Sequence, residues 1–175
     1  MPPSLGLQRG IVRLAPPDAA WADAFESERT RLAEALAGIA YAIHHVGSTS
    51  VPGLTAKPIL DLAMGVDEAD ALVVRPPLEA LGYEYRGDGG DDGGHLFVLL
   101  SAPQVRTHHL HVVRTGDPQL PRWLRLRDHL RVSASARERY ARAKRDLAAR
   151  HPDDRRAYTE GKTAIIRALL AEASA

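Results

Sequence analysis

Between residues 44 and 62 the sequence reads HHVGSTSVPGLTAKPILDL, a stretch that no packing requirement explains. Gly47 is followed by Ser48, Thr49 and Ser50. Backbone N–H groups and three hydroxyls therefore crowd a short segment whose first position carries no side chain, a composition that cradles phosphate. No G-x-x-x-x-G-K-[ST] can be laid on it, so it is not a Walker A loop, and an ordinary Ser/Thr turn is the plain alternative. Pro52-Gly53 has the residues of a type II turn that folds the loop back. Lys57 precedes Pro58, which holds its backbone extended at the mouth of the next strand. It is one of only three lysines beside 20 arginines, a hint that an ammonium is wanted there to neutralise a phosphate.

Asp61 lies inside the apolar run Ile59-Leu60-Asp61-Leu62-Ala63. A carboxylate there must be ion-paired, hydrogen-bonded or bound to a metal. Alternation puts Asp61 on the face shared by Ile59 and Ala63, and it puts His109 and His111 together on one face of a later strand. If the sheet brings these strands together, Asp61, His109 and His111 form a carboxylate–imidazole cluster suited to a divalent metal: Mg, Mn or Zn. A hydrogen-bonded polar patch that includes His45 or His108 is the alternative. A serine hydrolase would need a G-x-S-x-G elbow, which is absent.

The elements that must position these groups follow from the apolar pattern. Short strands are expected over residues 10–14, 40–46, 58–66, 83–86, 95–100 and 108–113, the last two as antiparallel neighbours. A helix capped by Asp18 carries Trp21, Phe25, Leu32 and Leu36 on one face and stops at Gly38. A second helix is expected over 67–81, interrupted or restarted at Pro76-Pro77. The Gly- and Asp-rich run 87–94 reads as an exposed hairpin tip without the ligand spacing of an EF-hand. Three helices close the chain: one over 121–132, one opened by a Ser135/Glu138 capping box, and one opened by Asp153 or Asp154 that buries Tyr158, Ile165, Ile166, Leu169 and Leu170. Strands before residue 114 and helices after it predict a single α+β domain over 1–175, sheet-rich over about 10–114 and helical over about 121–173.

Composition narrows the function classes. The 175 residues include no cysteine, which excludes disulfides, zinc-thiolate sites and thiol catalysis. No apolar run is long enough to span a bilayer, and the start lacks a signal peptide's apolar stretch, so a cytoplasmic protein without membrane contact is the expectation. Residues 122–175 hold 14 Lys/Arg against 7 Asp/Glu, whereas the rest of the chain is net negative. Solvated helix faces account for most of these charges, with one or two arginines left to reach a phosphate. Aromatic residues are only 5% of the chain, so no stacking platform for nucleic acid is expected.

The segment HVGSTSVPGLTAKPILDL resembles the signature of the GrpB family (UPF0157), within the nucleotidyltransferase-like superfamily. The likeness extends to VRLAPPDAAWADAFESERTRL, to the His-rich THHLHVV, and to LRLRDHLR, YARAKRDLA and DRRAYTEGKTAII, and so covers residues 11–170 or thereabouts. It implies a mixed sheet flanked by helices, a Gly-Ser motif turned toward a nucleoside triphosphate, and a D-x-D pair with a third carboxylate holding metal ions. Gly47-Ser48 and Asp61 match that pattern. Ala63 stands where the second carboxylate belongs, and His109-Leu110-His111 stands where the third would come. The resemblance implies a ligand held by Gly47, Ser48, Thr49, Ser50 and Lys57, catalysis resting on Asp61 and Lys57, a metal on Asp61, His109 and His111, and help from Arg127, Tyr158 and Lys162. Similar domains occur fused to dephospho-CoA kinase. The expected function is nucleotide or phosphate binding with nucleotidyl transfer to an unidentified acceptor. The alternative is a non-catalytic module that senses a nucleotide or meets a protein partner.

Overall fold

The computed structural model describes residues 5–67, 71–88 and 94–174. Strands β1 (Leu7–Gln8), β2 (Tyr41–Val46), β3 (Leu60–Val66), β4 (Tyr83–Asp88), β5 (His95–Ala102) and β6 (Val105–Arg114) form one sheet. Its order is β2-β3-β6-β5-β4, with β1 added to β6. β3 and β6 run parallel, and the other pairings are antiparallel. The helices are α1 (Ala20–Ala35), α2 (Arg75–Ala80), α3 (Gln119–Val132), α4 (Ala134–Arg150), α5 (Arg155–Gly161) and α6 (Thr163–Glu172). The architecture is the expected mixed sheet flanked by helices, with the helical segment at the C-terminal end.

Alternation along β3 decides which residues are core and which are site. Leu60, Leu62, Met64 and Val66 are fully buried on one face, against Trp21, Phe25 and Leu32 of α1 and Leu78 of α2. Burial of such a side chain is worth roughly 1.5–3 kcal/mol, enough to fix the register and thereby aim Asp61 and Ala63 the other way. On that opposite face a Cβ at Gly65 would touch Leu120 of α3. The core face also buries one carboxylate. Glu28 accepts from Arg31 at 2.9 Å and from the Tyr83 hydroxyl at 2.7 Å, which ties α1 to β4.

The loop between β2 and β3 is held by the helices. Val51 and Leu54 are buried with Leu130, Tyr140 and Leu169. Arg131 of α3 donates from Nε and Nη2 to the Ser50 carbonyl at 2.9 and 2.8 Å, and Arg127 donates to the His45 carbonyl at 3.1 Å.

Several elements differ from the pattern-based expectation. Residues 11–14 join no ladder. The Val12 N–H donates to the Pro152 carbonyl at 2.7 Å, and its side chain packs on Leu147 and Tyr158, so the segment belongs to the helical layer. The sheet takes Leu7–Gln8 in its place. The helix expected over 67–81 is confined to α2, with the prolines in its first turn, where a missing N–H costs nothing; residues 68–70 lie outside the described residues. Of the Gly/Asp-rich run, residues 89–93 also lie outside them. α4 is capped by Ser133, whose Oγ accepts from the Ala136 N–H at 3.1 Å, so Ser135 falls inside the first turn and the expected capping box does not form. The closing helix is split into α5 and α6 around Lys162, next to Gly161, where a Cβ would lie 2.4 Å from Leu147. Asp154 caps α5 as expected. Among the described residues no helix is long and apolar enough to cross a membrane.

Candidate functional site

β2 ends at Val46, and Gly47 follows with φ 67° and ψ −170°, a conformation that suits glycine. A 3-10 turn covers Ser48–Ser50. In the sheet register Asp61 stands between Val46 of β2 and His109 of β6. The carboxylate lies over the glycine: a Cβ at position 47 would sit 2.4 Å from Asp61 Oδ2. Gly47 is thus needed for its backbone and for the room it leaves to Asp61.

Asp61 Oδ1 lies 3.0 Å from His109 Nδ1, and the other ring nitrogen of His109, Nε2, faces Arg155 Nη2 at 3.5 Å. Since an arginine only donates, Nε2 accepts and the imidazole proton is assigned to Nδ1, donated to Asp61. Burial pulls the His109 pKa down to about 4, outweighing the nearby carboxylate. For Asp61, burial opposes ionisation, but the hydrogen bond that His109 donates and the nearby ammonium of Lys57 overcome it and hold the carboxyl well below its usual range. The pair is an ionised carboxylate and a neutral imidazole. The Asp61 side chain remains 34% exposed, open to a ligand.

All three lysines of the chain gather around this pair. Lys57 and Lys162 line the same cavity as Asp61, and their Nζ atoms lie 5.3 and 4.9 Å from the centroid of the Tyr158 ring. Lys144 is buried behind the turn, donates to Ser48 Oγ at 3.0 Å and to the Thr55 carbonyl, and lies 5.0 Å from the Tyr140 ring centroid. Burial and neighbouring cations lower all three ammonium pKa values. Lys57 falls to about 7 through burial first, then the charges of Lys162 and Arg155. Lys144 falls through burial and then the charges of Lys162, Lys57 and Arg145, and Lys162 falls through burial and the charge of Arg155 against the pull of Asp61.

The cavity holds about 320 Å³. Its lining is cationic at Lys57, Lys162, Arg155 and Arg127, and apolar at Trp123 and Leu126 of α3 and Ile166 of α6. The Trp123 ring tilts against His111 with centroids 5.2 Å apart.

The residues singled out in the sequence are distributed as follows. Gly47, Ser48, Thr49, Lys57, Asp61, His109 and His111 line the cavity, as do Arg127, Tyr158 and Lys162. Thr49 is buried with its Oγ1 2.9 Å from His45 Nε2. Ser50 does not reach the cavity: its hydroxyl turns back to the Gly47 carbonyl at 2.6 Å and so braces the turn. Asp61 and His109 meet, and His111 lines the same cavity. Among the described residues no group of three His, Cys, Asp or Glu is arranged to hold a metal ion. Lys144, Arg155, Trp123 and Tyr140 escaped the sequence reading. The rarity of lysine in this chain was the one available signal for Lys144.

The comparisons agree with this architecture. The model of the family described as GrpB protein matches residues 11–172. The chain belongs to the GrpB family. A UPF0157 protein of Pseudomonas aeruginosa is 39% identical over 167 residues, which are 94% of this chain and 68% of that protein. One from Bacillus subtilis is 38% identical over 143 residues, 81% of this chain but only 41% of the relative's length. The crystal structure of the conserved protein GrpB from Enterococcus faecalis superposes with a TM-score of 0.82 at 34% identity, covering 92% of this chain and 96% of that one. A poly(U) polymerase solved with Mg and 3'-dATP bound superposes with a TM-score of 0.55 at 16% identity over 78% of this chain and 44% of the polymerase, which shows a shared nucleotidyltransferase-type fold. A protein named dephospho-CoA kinase, from Mycolicibacterium paratuberculosis, is 34% identical over 136 residues, 74% of this GrpB-family chain and 30% of that protein.

Proposed function

We propose that this GrpB-family protein binds a nucleoside phosphate in the cavity between the β2–β3 turn and the C-terminal helices. The phosphates lie at Ser48, Lys57, Lys162 and Arg155, and the base lies against Trp123 and Leu126. The observation that carries this reading is the gathering of all three lysines of an arginine-rich chain around one cavity that apolar side chains also line. Buried ammonium groups that repel one another lower their cost when an anion joins them. An apolar wall with an indole supplies what a base or similar ring needs. The name of the kinase relative, and that of the polymerase sharing the fold, both belong to nucleotide chemistry.

The test is thermal unfolding of the metal-stripped protein against the four ribonucleoside triphosphates, each alone and with Mg²⁺, Mn²⁺ or Zn²⁺. A ligand at about 100 times its dissociation constant adds roughly 2.7 kcal/mol of stability, a readable rise in midpoint. Lys162→Met is expected to remove the rise. If no nucleotide moves the wild-type midpoint under any condition, the reading is wrong.

One observation favours a second step, nucleotidyl transfer to an acceptor: the ionised Asp61 is open to the cavity floor. Transfer releases pyrophosphate, whereas a sensing module returns its nucleotide intact. Pyrophosphate release that persists in Asp61→Asn would sink the transfer reading.

A further inference from the structure

The fold's relatives raise the question of what neutralises the phosphates. The residues here do not fit a divalent ion. Ala63, where a second carboxylate would be needed, is fully buried beside His111. Both ring nitrogens of His109 already face protein partners, Asp61 and Arg155. A single carboxylate remains, and hard cations such as Mg²⁺ want several oxygen donors. A divalent ion at Asp61 would also face Lys57, Lys162 and Arg155 across the same cavity, with Lys144 behind Ser48.

These basic groups line the same cavity as Asp61, with Lys144 behind Ser48. The Tyr158 ring sets two of the ammonium groups, each within about one ring's reach, and cation–π attraction holds such groups in place. Arg155 is fixed by His109 at the foot of α5. Lys144 fixes the Ser48 hydroxyl at the cavity wall. The arrangement is a preformed set of basic side chains that outnumber the lone carboxylate.

We propose that this cavity holds the phosphate groups of a nucleoside di- or triphosphate directly on Lys57, Lys162 and Arg155, with these side chains in place of divalent metal ions. The proposal rests on the nucleoside-phosphate reading above and deepens it.

The experiment is calorimetric titration of the full chain with the ribonucleoside triphosphates and with inorganic tripolyphosphate, each in excess chelator and again in Mg²⁺. The expected result is an affinity in chelator equal to or above that in Mg²⁺. Lys57→Met and Lys162→Met should each weaken binding by about tenfold or more, the value of a charge-assisted hydrogen bond. Both variants should unfold at or above the wild-type midpoint without ligand, because each removes a repelled, desolvated charge. Lys57→Gln and Lys162→Gln provide a second pair should either methionine variant fail to fold. Mn²⁺ alone, followed by electron paramagnetic resonance, should show no site that Asp61→Asn abolishes. Binding that requires Mg²⁺, or such a Mn²⁺ site, overturns the proposal and leaves the nucleotide reading standing. Binding in chelator that ignores both lysine substitutions overturns it as well. Absence of binding under every condition overturns both.

Discussion

Asp61 Oδ2 sits where the side chain of any residue but glycine at position 47 would begin, 2.4 Å from an ideal Cβ. The Gly-Ser turn and the acidic strand residue, thirteen positions past Ser48, are therefore one mechanical unit. Its glycine serves the carboxylate as directly as it serves any ligand.

Gly47→Ala must adopt φ near 67° and displace Asp61. A residue held in such a conformation costs of order 1–3 kcal/mol, so a loss of that size in denaturant unfolding is expected. If the clash contributes, Gly47→Ala combined with Asp61→Ala should destabilise less than the two single changes added together. Strict additivity would mean that the contact carries no energy.

The fold buries a hydrogen-bonded carboxylate on the core face as well. Tyr83→Phe removes the 2.7 Å bond to Glu28 and leaves its bond from Arg31 in place. A hydrogen bond to a charged group contributes about 1.5–3 kcal/mol, and urea unfolding should show a loss in that range. Nucleotide binding should be unaffected, since Tyr83 does not line the cavity.

Stability should depend on pH through two groups of side chains that act in the same direction in different pH windows. His109 and His45, each held near pKa 4 by burial, stay neutral in the fold while the unfolded chain protonates below about 6.5. Stability therefore falls as pH drops from 6.5 toward 4, and Asp61, also depressed, extends the loss below its ordinary carboxylate pKa. Lys57 titrates near 7 in the fold and 10.5 when unfolded, so across that window the unfolded state binds more protons and stability rises with pH. Lys57→Met should flatten the slope of midpoint against pH between 7 and 9. An unchanged slope would show that Lys57 is not desolvated as described.

The legible part of this structure was the part written in alternation. Leu60, Leu62 and Met64 against Asp61 and Ala63 announced a two-faced strand, and His109 with His111 announced another. Their parallel pairing was not readable, because residues 48 apart in sequence carry no local sign of adjacency. The helical contribution was hidden for a different reason. Lys144 and Arg155 stand among many exposed cations on α4 and α5, and only the fold distinguishes a buried ammonium from a solvated one. Val12 misled because an apolar segment that packs on helices has the same pattern as one that enters a sheet.

Trp123 separates the two halves of the proposed ligand. Its indole lines the cavity against His111, and an uncharged aromatic ring offers stacking to a base but no charge to a phosphate chain. Stacking of a base on an aromatic ring is worth about 1–3 kcal/mol, which is a factor of about 5 to 150 in affinity. Trp123→Ala should weaken nucleoside triphosphate binding by that factor and leave inorganic tripolyphosphate binding unchanged, both read by calorimetry. Lys162→Met should weaken both ligands together. A Trp123→Ala variant that loses tripolyphosphate equally would mean that the indole supports the cavity's shape and contacts no base. The His111 ring packs on one side of the indole and loses that support in the variant, so Trp123→Phe serves as the control. Phenylalanine keeps a ring against His111 and should lose less nucleotide affinity than alanine does.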